Sequence, residues 1–164
     1  MSETIVRQLG NFVSDLSYES IPEETKEGVR LSFMDTVGCM LYGCSTQQGK
    51  IVKKAAFRMQ CTNGAAVVGE PWIVSAPLAC LVNGALAGSM AFDDIHHKAT
   101  VHCGCVAVPA ALASTDIADS SVSGKDFLTA LVAGYEVMIR VALSIMPEVR
   151  LRSAKCKSPC RIRA

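Results

Sequence analysis

Apolar residues recur at spacings of three and four along most of the chain, the mark of helices that bury one stripe each. Ile5, Leu9, Phe12, Val13 and Leu16 form the first such stripe, capped by Ser2 and expected to cover a core. Ser20-Ile21-Pro22-Glu23-Glu24 opens a second helix, with a proline and two carboxylates suited to a first turn, and Gly43 stops it. Lys50 to Gln60 reads as a third helix, and Gly64 to Gly69 as a short extended or turn segment rather than a domain boundary. Ser75-Ala76-Pro77 opens a fourth helix through about Ala91. Its many Ala and Gly residues let a neighbouring backbone come close, so it is expected at the centre. After a break at His102 to Cys105, Pro109 opens a small-residue helix to about Asp119. Ser123 and Asp126 cap the longest helix, which carries Phe127, Leu128, Leu131, Tyr135, Met138, Ala142 and Ile145 on one side and ends at Pro147.

Beyond Pro147 the periodicity stops and the charge reverses. The final stretch, residues 148–164, holds six Lys and Arg against one acidic residue, Glu148, while residues 1–147 are mildly acidic. The chain therefore divides into a helical domain, 1–147, and an irregular basic tail, 148–164, which reads as a frameshifted or alternative terminus, or as a disordered extension. An acidic body gives no electrostatic reason to expect nucleic acid. No run reaches the roughly 18 uninterrupted apolar residues of a membrane span, and no signal or transit peptide is evident, so no membrane partner and a cytoplasmic location are expected. Half of the residues are hydrophobic and few are aromatic. The eight cysteines, several of them in apolar runs, then read as reduced core thiols rather than a disulfide framework.

One stretch concentrates chemistry: Phe92-Asp93-Asp94-Ile95-His96-His97-Lys98-Ala99-Thr100-Val101-His102 contains all three histidines. Were the fourth helix to continue past Ala91, Asp93 would face His96 and His97, and Asp94 would face His97 and Lys98. A carboxylate beside an imidazole fixes its tautomer and raises its basicity, which suits proton abstraction near neutral pH. Lys98 and the backbone N–H groups around Gly104 could hold a substrate carboxylate. The plain alternative has the two aspartates ending a helix, with His96 and His97 as partly exposed loop residues. His96, His97, His102, Cys103 and Cys105 have zinc-ligand chemistry, but their spacing matches no paired-Cys or helical-His motif, so no metal is expected. Asp35, Tyr135, Glu136 and Arg140 read as a buried polar network or partner-facing groups. Gly38 and Gly43 read as packing and capping residues.

Four segments together resemble the MmgE/PrpD family, the 2-methylcitrate dehydratase-like lyases. Phe33 to Gly43 is similar to the family's Asp-Thr-hydrophobic-Gly helix, and Ala79 to Gly88 to its Asn-Gly-Ala helix. Phe92 to His96, His102 to Gly104 and Val108 to Leu112 resemble its Phe-Asp-Asp-Thr-His, His-Pro-Gly and Pro-Ala-Ala-Leu run, and Gly124 to Leu128 with Ala133 to Val137 and Arg140 its following helix. The resemblance implies an all-α, multi-helix bundle like the family's large helical domain, with the smaller α+β domain absent. It also implies a homodimer, no metal or other cofactor, and a small polycarboxylate as substrate, dehydrated or decarboxylated. On that reading His102, Asp93 and His96 are catalytic, and Asp94, His97, Lys98 and Gly104 bind substrate. Ile95 replaces the family's Thr, Cys103 its Pro and Ala91 a frequent Asp, and the family's later lysine- and histidine-bearing segments do not follow. Three functions are thus weighed: a lyase to which this chain supplies part of the active site, a non-catalytic fragment or paralogue acting through dimerisation or a partner, and a metal-binding module.

Overall fold

The computed structural model describes residues 4–155, in which the helical periodicity is realised as six α-helices and one short hairpin. In chain order these are α1 (Ile5–Asp15), α2 (Glu23–Gly43), α3 (Gln47–Phe57), strands β1 (Gln60–Ala66) and β2 (Ile73–Val74), α4 (Ala76–Ala87), α5 (Gly104–Asp116) and α6 (Gly124–Lys155). The chain is a mainly helical domain, as the sequence implies.

The Ala/Gly-rich helix is central. α4 buries Ala79, Val82, Asn83, Leu86 and Ala87 and packs against α2, α3 and α5. Close packing here relies on missing side chains, since interaxial distance follows the size of the residues at the contact. A Cβ on Gly43, at the end of α2, would run into the backbone carbonyl of Leu86. Gly38 faces open space instead, so only Gly43 of that pair is a packing residue. Asn83 is buried in the same helix, where its amide donates to the Ala66 carbonyl (3.0 Å) and accepts from the Val68 N–H (2.9 Å). These two bonds pin the end of β1 to the core. The sequence pattern predicts only a short extended or turn segment over Gly64 to Gly69; the structure forms an antiparallel pair with Ala65 opposite Val74 and Ala66 opposite Ile73. Strand alternation is too short to read when one partner has two residues.

Element boundaries shift where side chains compete with periodicity. α3 begins at Gln47 rather than Lys50, because Thr46 caps it by accepting from the Gly49 N–H at 3.0 Å. Pro109 lies inside α5 instead of opening it, since that helix starts at Gly104. Its ring removes the N–H that would serve the Cys105 carbonyl, and that carbonyl lies against Gly84 of α4. The Ser123–Asp126 cap of α6 forms as expected, with Ser123 Oγ and Asp126 Oδ2 at 2.6 Å and the Asp126 N–H donating back to Ser123 Oγ at 3.2 Å. Leu131 is buried and Phe127, Leu128, Tyr135, Met138 and Ala142 are half-buried, while Ile145 is exposed. Phe127 meets Phe33 of α2 edge-on, ring centroids 5.3 Å apart.

Two expectations are corrected. α6 does not end at Pro147 but continues to Lys155, so residues 148–155 are helical rather than irregular; one proline removes a single backbone bond, after which helical geometry resumes. Residues 156–164 of the expected basic tail lie outside the described residues, as does Ser2, and Thr4 caps α1 by accepting from the Arg7 N–H at 3.3 Å. α1 covers the core only in part. Leu9, Phe12 and Leu16 are half-buried, but Ile5 and Val6 are 74% and 80% exposed. Segment Gly124–Ile145 of α6 is long and apolar enough, by length and composition, to cross a membrane, though none of its uninterrupted apolar runs reaches about 18 residues. It packs against α2 and α5, and the Glu136–Arg140 pair (2.8 Å) lies along it.

Gly43→Ala is expected to lower stability by about 1–3 kcal/mol through overpacking against Leu86. Gly38→Ala, in open space within the same helix, should raise stability by about 0.5–1 kcal/mol. Thermal denaturation of the two variants checks both signs.

Candidate active site

The loop that carries the histidines lies between α4 and α5 and is not helical. After a 3-10 turn at Gly88–Met90, Ala91 adopts a left-handed conformation (φ 53°) and ends the helical path. A tight turn follows. The His96 N–H donates to the Val101 carbonyl (2.9 Å) and the Thr100 N–H to the His96 carbonyl (2.7 Å), with Thr100 also left-handed at φ 51°. The pairings expected from a continuous helix, Asp93 with His96 and His97 and Asp94 with His97 and Lys98, are therefore not made.

The loop instead brings Asp93 to His102, nine residues on. Asp93 Oδ2 lies 3.2 Å from His102 Nδ1. The Asp93 side chain is 2% exposed and that of His102 40%, so a buried carboxylate holds a half-open imidazole. With Nδ1–H directed at the carboxylate, a neutral ring presents the Nε2 lone pair elsewhere. Asp94 is held differently: Oδ1 accepts from the Gly104 N–H and Oδ2 from the Tyr135 hydroxyl, both at 2.7 Å. Gly104 thus meets a carboxylate of its own chain, at the positive end of α5. The structure brings Asp93, Asp94, His102 and Gly104 together. His96 turns inward on its own loop, where Nδ1 accepts from the Ala99 N–H at 3.1 Å. His97 and Lys98 are exposed, and Lys98 forms no ion pair among the described residues.

Burial sets the chemistry of the surrounding groups. Desolvation, reinforced by Asp93, pushes the Cys105 thiol up to about 12. Desolvation and then Asp94 raise Cys103 to about 11. The Tyr135 phenol is raised well above its usual value, first by burial and then by its bond to Asp94, so it remains a donor. Cys39 is raised too, by burial first and then by Asp35, Asp93 and Asp94. Cys39 lines a groove of about 210 Å³ with Asp35, Tyr42, Met90 and Phe92. Tyr135 fulfils the expectation of a buried polar network, whereas Glu136 and Arg140 pair with each other on the surface of α6. Thr36 joins this neighbourhood without any signal in the sequence pattern. A fully buried threonine within a helix is a signal only once burial is known. Among the described residues no three His, Cys, Asp or Glu side chains gather as a metal centre requires.

A mainly helical domain with a buried aspartate holding a half-exposed histidine in the loop between two close-packed helices is the class that this geometry defines. A family model, the MmgE/PrpD N-terminal domain, matches residues 7–154, and the chain belongs to that family. Its curated relatives include the cis-aconitate decarboxylase-like protein oryM of Aspergillus oryzae, 28% identical over 142 residues, which cover 84% of this chain and 30% of that protein. Cis-aconitate decarboxylase of Aspergillus terreus is 21% identical over 144 residues, 86% of this chain and 29% of the relative. The chain spans about 30% of the length of these relatives.

Two consequences of the thiol environment can be measured. Iodoacetamide at pH 8 is expected to alkylate the exposed Cys61 and to spare Cys103 and Cys105 in the folded chain, as read by peptide mass spectrometry. A thiol harder to ionise when folded stabilises fully below its unfolded value and loses that contribution as pH rises toward the folded one. For Cys103 this window runs from 9.0 to about 11, so the melting temperature should fall across it. Cys103→Ala should flatten that fall.

Proposed function

We propose that this chain supplies one wall of a lyase active site for a small polycarboxylate, with His102 as the proton-transfer group and Asp93 as the residue that orients it. The observation that carries the reading is the 3.2 Å contact between the buried Asp93 carboxylate and Nδ1 of a half-exposed His102. Family membership and the cis-aconitate decarboxylase names of two relatives support the reaction class. In a dehydration, His102 Nε2 takes the proton from the carbon next to a carboxylate. The electrons of that C–H bond form the double bond, and the hydroxyl leaves as water after protonation by a second group. In a decarboxylation, the carbon–carbon bond breaks, carbon dioxide departs, and the protonated imidazole returns a proton to the carbon. Asp93 keeps the ring in the required tautomer and stabilises the imidazolium in either direction.

The charge balance bears on how this wall is used. Asp35 lines the groove beside Cys39, Asp93 and Asp94 stand at the start of the loop, and Lys98 is the sole cationic side chain of the loop, exposed at its edge. A polycarboxylate needs cations or oriented N–H donors to offset its charge and that of the enolate-like transition state. We take these to come from protein surface beyond the described residues, a second copy of the chain in a homodimer among the candidates. The exposed Leu31, Met34, Leu41 and Val141 on α2 and α6 favour such a covering surface. The same charge balance favours the second reading, a non-catalytic chain acting through a partner, whenever that surface is missing.

Turnover of cis-aconitate, citrate and 2-methylcitrate, followed by the change in absorbance of the conjugated double bond, tests the reading. His102→Ala is expected to lower kcat by about 100-fold or more, the scale of a lost general acid–base. Turnover that is indifferent to His102→Ala rejects the assignment, and no turnover of any of the three favours the non-catalytic reading.

A further inference from the structure

Asp94 is the point at which three helices meet the histidine loop, and the acid–base pair alone gives no reason for it. Both of its oxygens are taken, by the Gly104 N–H and the Tyr135 hydroxyl, each at 2.7 Å. A carboxylate with two short, directed bonds is anchored, and turning to a ligand would break one of them. The packing around it is equally tight. A Cβ at position 104 would strike the Thr36 hydroxyl and come within 2.7 Å of Asp94 Oδ1 and 3.1 Å of the Tyr135 hydroxyl. Thr36 comes from α2, Gly104 from α5 and Tyr135 from α6, so Asp94 binds the loop to a knot of three separate helices.

The position of that knot along the chain decides what it controls. Asp93 immediately precedes Asp94, and His102 stands two residues before Gly104. One carboxylate therefore fixes both ends of the loop whose ends carry the acid–base pair. Tyr135 supplies one of its two bonds from a helix that makes no other hydrogen bond to the loop among the described residues.

We propose that Tyr135 is a positioning residue for His102: its hydroxyl holds Asp94 against the start of α5, and Asp94 in turn holds Asp93 and His102 in register. The catalytic meaning rests on His102 being the proton carrier, but the geometry can be tested without turnover. Asp94 is then a clamp rather than a substrate ligand, and space alone requires glycine at position 104: no side chain fits between the three oxygens.

The test is long-range proton–nitrogen NMR of the chain with nitrogen-15-labelled histidine at pH 8, the His102 signals being assigned by their loss in His102→Ala. In the unmodified chain His102 should show the Nδ1-protonated tautomer that a bond to Asp93 selects. Tyr135→Phe, which removes one oxygen, should cost at least half of that population while leaving the His97 signals in place. Val132→Ala is the control, a buried truncation one turn away on α6 with no polar contact to the loop. It should loosen the core and leave the His102 tautomer intact. The proposal is overturned if His102 lacks the Nδ1-protonated form, if Tyr135→Phe leaves it unchanged, or if Val132→Ala shifts it as much. Should Tyr135→Phe fail to fold, Asp94→Asn carries the same comparison with the same readings. Loss of the tautomer in Tyr135→Phe supports positioning even when no substrate turns over. A His102 essential for turnover whose tautomer ignores Tyr135 sinks the positioning and leaves the lyase reading standing.

Discussion

The approach of the α2 and α4 backbones, with Gly43 against the Leu86 carbonyl, is the constraint from which the rest of the domain follows. Helices separated by ordinary side chains would leave α4 too far out to share Leu86 with α3 and to bury Asn83 against the hairpin. Leu86 is fully buried in this arrangement, and Gly49 of α3 packs on its side chain. The same approach sets where α4 ends. Its last turn points the chain into the space between α2 and α5, where the loop from residue 91 to 103 has Thr36 on one side and the start of α5 on the other.

That loop is held by polar contacts in place of apolar ones, and some strain is stored in it. Ala91 and Thr100 both sit at positive φ, which costs non-glycine residues on the order of 1 kcal/mol or more each. The cost is offset by bonds that a helix continuing past Ala91 could not make: Asp93 to His102, Asp94 to Gly104 and Tyr135, and the 96–101 turn. Strain and dense hydrogen bonding in one segment fix side chains more firmly than a free loop does. The surrounding thiols contribute by staying neutral. Raised Cys103 and Cys105 leave the aspartates as the negative groups nearest the ring.

The site is acidic, with Asp93 and Asp94 at its centre and Lys98 exposed at its edge. Its carboxylates can orient an imidazole but add negative charge of their own, and apolar residues are left exposed on α1, α2 and α6. Both facts point outward from the domain. The contact between Asp93 and His102 is built within this chain.

The amino-acid sequence by itself determined the helical class, the start of α2 after Pro22, the cap of α6 at Ser123 and Asp126, the central place of the Ala/Gly helix, and the stretch that carries the chemistry. Each of these is written in local spacing: periodicity, capping residues and small side chains act over a few residues. It also held the family resemblance, because Asp93, Asp94, His96, His102 and Gly104 stand in a recognisable order. Tertiary structure decided which of them touch. Local reasoning paired Asp93 with His96 and His97 along a helix; the left-handed turn at Ala91 and the bond from Gly104 to Asp94 gave it His102 instead. Thr36 and Tyr135 join the site from 58 residues before Asp94 and 41 after it, distances at which no helical or strand period carries information. α5 beginning before Pro109, and α6 running past Pro147, follow the same rule. A proline forbids one hydrogen bond wherever it occurs, but whether the helix stops there is settled by what the neighbouring backbone packs against.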